Sequence, residues 1–139
     1  MPTLPIPDDL QDFLRQPNPC VIATLSPAGE LHTAATWYDW LEDGTVLVNM
    51  DESRRRLPHM RQDPRVALTV LDRDSWYRHV SLVGRVIEIR ADPELADIDG
   101  LSRRYTGQRY RDRERRSWTA IIRVDRWHGW QRGHPIGGA

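Results

Sequence analysis

Residues 76–89 read Trp76-Tyr77-Arg78-His79-Val80-Ser81-Leu82-Val83-Gly84-Arg85-Val86-Ile87-Glu88-Ile89. Their reading decides the fold. Up to Gly84 the apolar positions alternate at Val80 and Leu82, as in a strand with one buried face. Beyond Val86 the alternation resumes one residue out of phase, at Ile87 and Ile89. A slip of one residue turns every side chain to the other face. A glycine at the point of change marks a bulge or bend. The stretch is therefore one long strand that bends in its middle, which is how a small barrel turns a corner.

Outward from this strand the chain gives five more. A strand is expected over 20–25, then a turn at Ser26-Pro27-Ala28-Gly29, then a strand over 31–40, so the pair forms a hairpin. A third strand covers 45–50 after the turn Glu42-Asp43-Gly44, a fourth covers 66–71, and the last covers 118–124. Helices are expected over 8–15, where Leu10, Phe13 and Leu14 share a face, and between the third and fourth strands over 51–62. Pro58 falls inside the latter, so a helix that starts only near Pro58, with 54–57 as a loop, is the other possibility. A third helix runs from Asp92-Pro93-Glu94, with Asp92 as N-cap, to about Tyr105, with Gly107 just past its end. The expected fold is mainly β with small helices: a six-stranded antiparallel split β-barrel. It forms a single domain over 1–132, followed by a flexible C-terminal tail over 133–139. No helix follows each strand and no glycine-rich phosphate loop opens one, which excludes a doubly wound sheet.

The chain has 139 residues, 39% of them hydrophobic and 29% charged, enough for one core. Acids and bases balance at 20 each, so no global field draws it to nucleic acid or anionic lipid. All the bases are Arg, which suits bidentate contacts with phosphate or carboxylate. Cys20 is the only cysteine, which excludes an internal disulfide and cysteine-based zinc sites, and its apolar run makes it a core residue. No apolar stretch approaches the ~20 residues of a membrane span, and no signal peptide is visible. The expectation is a cytoplasmic protein. The five histidines, His32, His59, His79, His128 and His134, show no ligand spacing, and no metal is expected.

Two arginine clusters could carry chemistry. The first is Arg54-Arg55-Arg56, directly after the third strand, where guanidinium groups and nearby backbone amides form an anion site. A solvated helix face paired with Asp51, Glu52 and Asp63 would give the same pattern. The second places seven Arg within the 14 residues 103–116, among Tyr105, Tyr110 and Trp118. It could be a solvated mobile loop, a clamp for an extended anionic ligand, or a nucleic-acid surface. Trp37, Tyr38 and Trp40 could pack on a flat ring or within the barrel.

Several stretches together resemble one family. Cys20-Val21-Ile22-Ala23-Thr24-Leu25 with Gly29 and residues 33–38 is similar to its first hairpin. Arg55-Arg56 resembles its phosphate clamp, and Asp63-Pro64-Arg65-Val66-Ala67-Leu68 its next strand opening. Residues 80–87 around Gly84 and Trp127-His128-Gly129-Trp130-Gln131 resemble its glycine-bearing strand and its closing stretch. The family is that of the split-barrel flavin and deazaflavin oxidoreductases, the pyridoxamine 5'-phosphate oxidase superfamily. The short length and Tyr105-Thr106-Gly107 are most similar to the branch that uses the deazaflavin F420.

The resemblance implies a homodimer that transfers hydride between F420 and a small unsaturated or quinone-like acceptor. It implies that Thr33, Ala34, Ala35, Thr36 and Trp37 lie along the cofactor ring. Arg54, Arg55 and Arg56 would hold phosphate, Asn49 and Met60 would sit beside the site, and Trp130 of the other protomer would cap it. No catalytic acid or base is assigned. An FMN-binding relative is the alternative, as is a non-enzymatic flavin, haem or nucleic-acid binding module, though nucleic acid is not expected.

Overall fold

The computed structural model describes residues 5–137. Its elements are α1 (Asp8–Leu14), β1 (Cys20–Leu25), β2 (Leu31–Thr36), β3 (Tyr38–Trp40), β4 (Val46–Asp51), α2 (Arg56–Gln62), β5 (Arg65–Leu71), β6 (His79–Ala91), α3 (Ala96–Thr106), β7 (Ser117–Gln131) and β8 (His134–Ile136). The strands form one antiparallel sheet in the order β2-β1-β5-β6-β7-β4-β3, with β8 paired to β7. The two ends of this order, β2 and β3, are consecutive in the chain and meet at Trp37. The sheet therefore curls back on itself into a split β-barrel.

The bend at Gly84 is present. The β6–β7 register shifts between Val83 and Gly84, and again between Val86 and Glu88. Gly84 is required there because a Cβ would run into the carbonyl oxygen of Arg123 on β7. The barrel interior is filled by fully buried side chains, among them Tyr38, Ile22, Met50, Leu68, Leu82 and Ile122. Trp40 is buried with them, so the aromatics 38 and 40 belong to the core and Trp37 does not. The Tyr38 hydroxyl donates toward the carbonyls of Leu14 (2.6 Å) and Gln16 (3.0 Å), fixing α1 across one end of the barrel.

β4 is buried along Val46–Met50. Val46, Val48 and Met50 face the interior, and Leu47 joins Ile98, Leu101 and Ile121 in a second apolar cluster beneath α3. A strand covered on both faces reads as a continuous apolar run. Asn49 breaks that run on the α3 side.

Five sequence expectations are corrected here. The strand over 31–40 is broken at Trp37 into β2 and β3, which with β8 raises six strands to eight. The expected tail over 133–139 begins as a hairpin, since His134–Ile136 pairs with Gly129–Gln131; residues 138–139 lie outside the described ones. The last strand runs over fifteen residues rather than 118–124. The helix expected over 51–62 begins at Arg56, with Pro58 in its first turn, where the missing N–H is tolerated. Asp92 caps α3 from a distance. Its carboxylate accepts from the amides of Asp97 (3.0 Å) and Ile98 (3.1 Å), while Leu95, at φ 63°, stands at the N-cap position. Gly107 ends that helix at φ 81°, as expected.

Candidate functional site

A cleft of about 970 Å³ opens beside the seam between β2 and β3. β2 supplies Ala34, Ala35 and Thr36, and the seam supplies Trp37. The Trp37 ring stacks on Tyr105 of α3, with centroids 5.3 Å apart and planes at 11°. Tyr110 meets Trp37 edge-on at 6.1 Å. These rings form an aromatic wall. The Tyr105 hydroxyl donates to the carbonyl of Asn18 (2.8 Å), and burial pushes its pKa up to about 12. Cys20, also at the cleft, is pushed up to about 12 by burial, so neither group ionises near neutral pH.

The opposite side is cationic. Arg54, Arg55 and Arg56 leave the end of β4, and Arg115 arrives from the segment before β7. Asn49 tethers two of them. Its carbonyl accepts from Arg56 Nη2 (3.1 Å), and its side-chain Oδ1 accepts from Arg115 Nη2 (3.1 Å). Its Nδ2 in turn donates to Thr119 Oγ1 (3.1 Å) and lies 3.4 Å from Asp92 Oδ2. Arg115 also lies over the Tyr110 ring at 4.9 Å.

The acids that neighbour this cluster in sequence are engaged elsewhere. Asp51 accepts from the Ser53 hydroxyl (2.5 Å) and amide (3.0 Å), which lowers its pKa. Glu52 pairs with Arg116 at 3.2 Å. Asp63 pairs with Arg65 at 2.7 Å, and Arg65 holds its carboxyl down at about 2. Among the described residues, no carboxylate lies within 4.0 Å of Arg54, Arg55, Arg56 or Arg115. The reading of this cluster as a salt-paired helix face therefore fails. The Nε atoms of both Arg56 and Arg115 are buried and lack a hydrogen-bond partner. Burial, then repulsion from Arg54 and Arg115, lowers the Arg56 pKa. Buried donors without acceptors are costly, so the residues present fit an anionic group in the cleft.

The structure thus brings together Ala34, Ala35, Thr36, Trp37, Asn49, Arg54, Arg55 and Arg56. Thr33, exposed on β2, does not line the cleft, and Met60 is buried in the core. Trp130 does not line the cleft of this chain; it sits in an apolar pocket of about 520 Å³ with Trp76, Tyr77 and His79.

The Arg-rich segment 103–116 divides. Arg104 ties α1 to the barrel, donating to the carbonyls of Tyr38 (2.9 Å), Gln16 (2.7 Å) and Arg15. Arg113 binds Asp99, Arg116 binds Glu52, and Arg115 enters the cleft. Sequence reasoning grouped Arg115, Tyr105 and Tyr110 in a second cluster and did not join them to the Arg54–Arg56 site. Arg115 is one of seven similar residues, and its partner Asn49 is 66 positions away.

Residues 6–131 match the family described as Pyridoxamine 5'-phosphate oxidase. No curated protein sequence matches this one. A solved structure titled F420 Reductase superposes with a TM-score of 0.78 at 25% identity, covering 88% of this chain and 98% of that one. A conserved hypothetical protein from Mycobacterium tuberculosis gives a TM-score of 0.72 at 26% identity, covering 93% of this chain and 86% of that one. A heme binding protein from Mycobacterium smegmatis shares the fold at 17% identity, with a TM-score of 0.66 over 98% of this chain and 60% of its own.

Proposed function

The chain belongs to the pyridoxamine 5'-phosphate oxidase family, and we propose that its cleft holds the deazaflavin F420 for redox work on a small organic acceptor. The observation that carries this reading is the pair of buried, unpartnered Nε donors on Arg56 and Arg115, in a cluster without a carboxylate. An anionic group seated there gains charge-assisted hydrogen bonds and relieves repulsion among the cations. Residues 34–37 run beside the ring on this reading, with Trp37 and Tyr105 as its wall. Asn49 holds Arg56 and Arg115 in place, and Arg54 and Arg55 close over the phosphate. Such a cofactor supplies two-electron hydride transfer, while the protein supplies binding, orientation and a dry wall. The number of uncompensated cations exceeds what one phosphate needs, which supports a ligand with further anionic groups and so favours F420 over FMN. The structural likeness to an F420 reductase at 25% identity supports the same choice. We further place the working form as a cytoplasmic homodimer in which Trp130 of one protomer reaches the cleft of the other.

The test is equilibrium titration of the purified protein with oxidised F420 and with FMN. F420 is expected to bind more tightly. Tighter binding of FMN overturns the choice of cofactor, and binding of neither overturns the site.

A further inference from the structure

The segment between α3 and β7 carries two cleft residues, Tyr110 and Arg115, yet residues 107–116 contain no helix or strand. Its end is fixed at Arg116 by Asp51 and Glu52, and ahead of that one carboxylate, Asp99, holds it down. Asp99 of α3 is 7% exposed, and its Oδ1 accepts from the Tyr110 amide (3.0 Å) and from Arg113 Nη1 (2.7 Å). Its Oδ2 accepts from Arg113 Nη2 (3.2 Å), completing a two-pronged ion pair. Arg113 Nη1 also donates to the Tyr110 carbonyl (3.0 Å). The peptide groups on both sides of Tyr110 are therefore clasped by one Asp–Arg pair.

From that clasp the order passes directly into the cleft. The Tyr110 ring meets Trp37 edge-on at 6.1 Å and lies under Arg115, whose Nη1 is 3.4 Å from the Tyr110 hydroxyl. Arg115 then reaches Asn49 Oδ1 at 3.1 Å. We infer that Asp99 is a positioning residue for ligand binding: with Arg113 it latches the 107–116 segment across the cleft and so delivers Tyr110 and Arg115 to the anion. Neither Asp99 nor Arg113 lines the cleft. Their effect on a ligand must pass through the segment they hold. The identity of the ligand rests on the function proposed above; the latch does not.

Two measurements separate these claims. Without any ligand, the segment offers trypsin Arg109, Arg111, Arg113, Arg115 and Arg116. Asp99→Asn keeps size and removes the charge, and should raise cleavage within 107–116 several-fold with the thermal midpoint of the barrel little changed. Local opening without global unfolding is what a latch controls. With F420 as the probe, Asp99→Asn should bind roughly tenfold more weakly, as for loss of a charge-assisted bond. The same change in an Arg115→Ala background should cost clearly less than in the wild type, because one of the two residues it positions is gone. Unchanged cleavage in Asp99→Asn overturns the latch whether or not F420 binds. Raised cleavage with full F420 affinity, or additive losses in the double variant, overturns the positioning role. If wild-type protein fails to bind F420 yet Asp99→Asn is cleaved faster, the cofactor reading falls and the latch stands.

Discussion

Asn49 holds Arg56 through its carbonyl and Arg115 through its side-chain oxygen, so two guanidiniums share one tether. This defines what substitutions in and around the cluster should do. Arg55→Ala/Arg56→Ala removes one arm of the cluster and should cost about 1.5–3 kcal/mol of cofactor binding, roughly 10- to 150-fold. Arg115→Ala should approach that cost, although it lies in a loop whose sequence left a solvated segment, an anion clamp and a nucleic-acid surface open. Arg109→Ala/Arg111→Ala, on exposed cations outside the cleft, should change affinity by less than ~1 kcal/mol, and that effect should fade with salt. Titration of all three at low and moderate salt decides the matter; a larger loss from the exposed pair would move the anion site out of the cleft. Asp99 gives a pH prediction. The hydrogen bond from Arg113 holds its pKa below the ordinary carboxylate value. A depressed folded pKa means the latch contributes fully above the unfolded value of about 3.9 and is lost as pH falls through the folded one. Exchange at the Tyr110 amide, corrected for intrinsic rates, should therefore rise below about pH 4. In Asp99→Asn it should be raised at neutral pH and lose that pH dependence.

At the scale of elements, Gly84 provides the sharpest test. Its added Cβ would meet the Arg123 carbonyl, which is backbone and cannot swing aside. Gly84→Ala should cost at least ~2 kcal/mol, as overpacking against a fixed neighbour does, read as a lowered midpoint in denaturant. An unchanged midpoint would mean that the bulge at Val83/Gly84 moves freely. The bend was legible because a phase change and a glycine coincide within a few residues of sequence. The first hairpin and the Gly107 stop were legible for the same reason: their causes are local. The break at Trp37 was not, because residues 31–40 keep strand chemistry throughout and the ring is drawn out by Tyr105 and Tyr110, far along the chain. Nor was the distant cap of α3, where Asp92 reaches past Pro93, Glu94 and Leu95 to amides five and six residues on. β8 was hidden because its three residues gain strand form only by pairing with β7. The site followed the same rule. The Arg54–Arg56 half sits at a strand end and could be read; the Arg115 half depends on Asn49 and Asp99 and could not.

For the whole molecule, the sites of interest are two separate pockets that adjoin on one sheet, where Val21 of the cleft pairs with Thr69 of the other pocket. The cleft sits at the β2–β3 seam, while Trp130 lies on β7 beside Trp76 and Tyr77, which are each 70% exposed. Large aromatic side chains left open to water beside an apolar pocket are costly for a monomer and are the usual mark of a contact surface. In the proposed homodimer this surface meets the partner, and Trp130 closes the partner's cleft. Light scattering at micromolar concentration should give twice the 16.2 kDa of one chain. Trp130→Ala should leave the barrel folded, since this half-buried ring is outside the buried core, yet weaken F420 binding. Trp76→Ala, which alters the same surface without touching the cleft of its own chain, should weaken both dimerisation and F420 binding, the second in proportion to the first. A monomer that binds F420 at full strength would show that each cleft is complete within one chain, and Trp130 would then have no part in it.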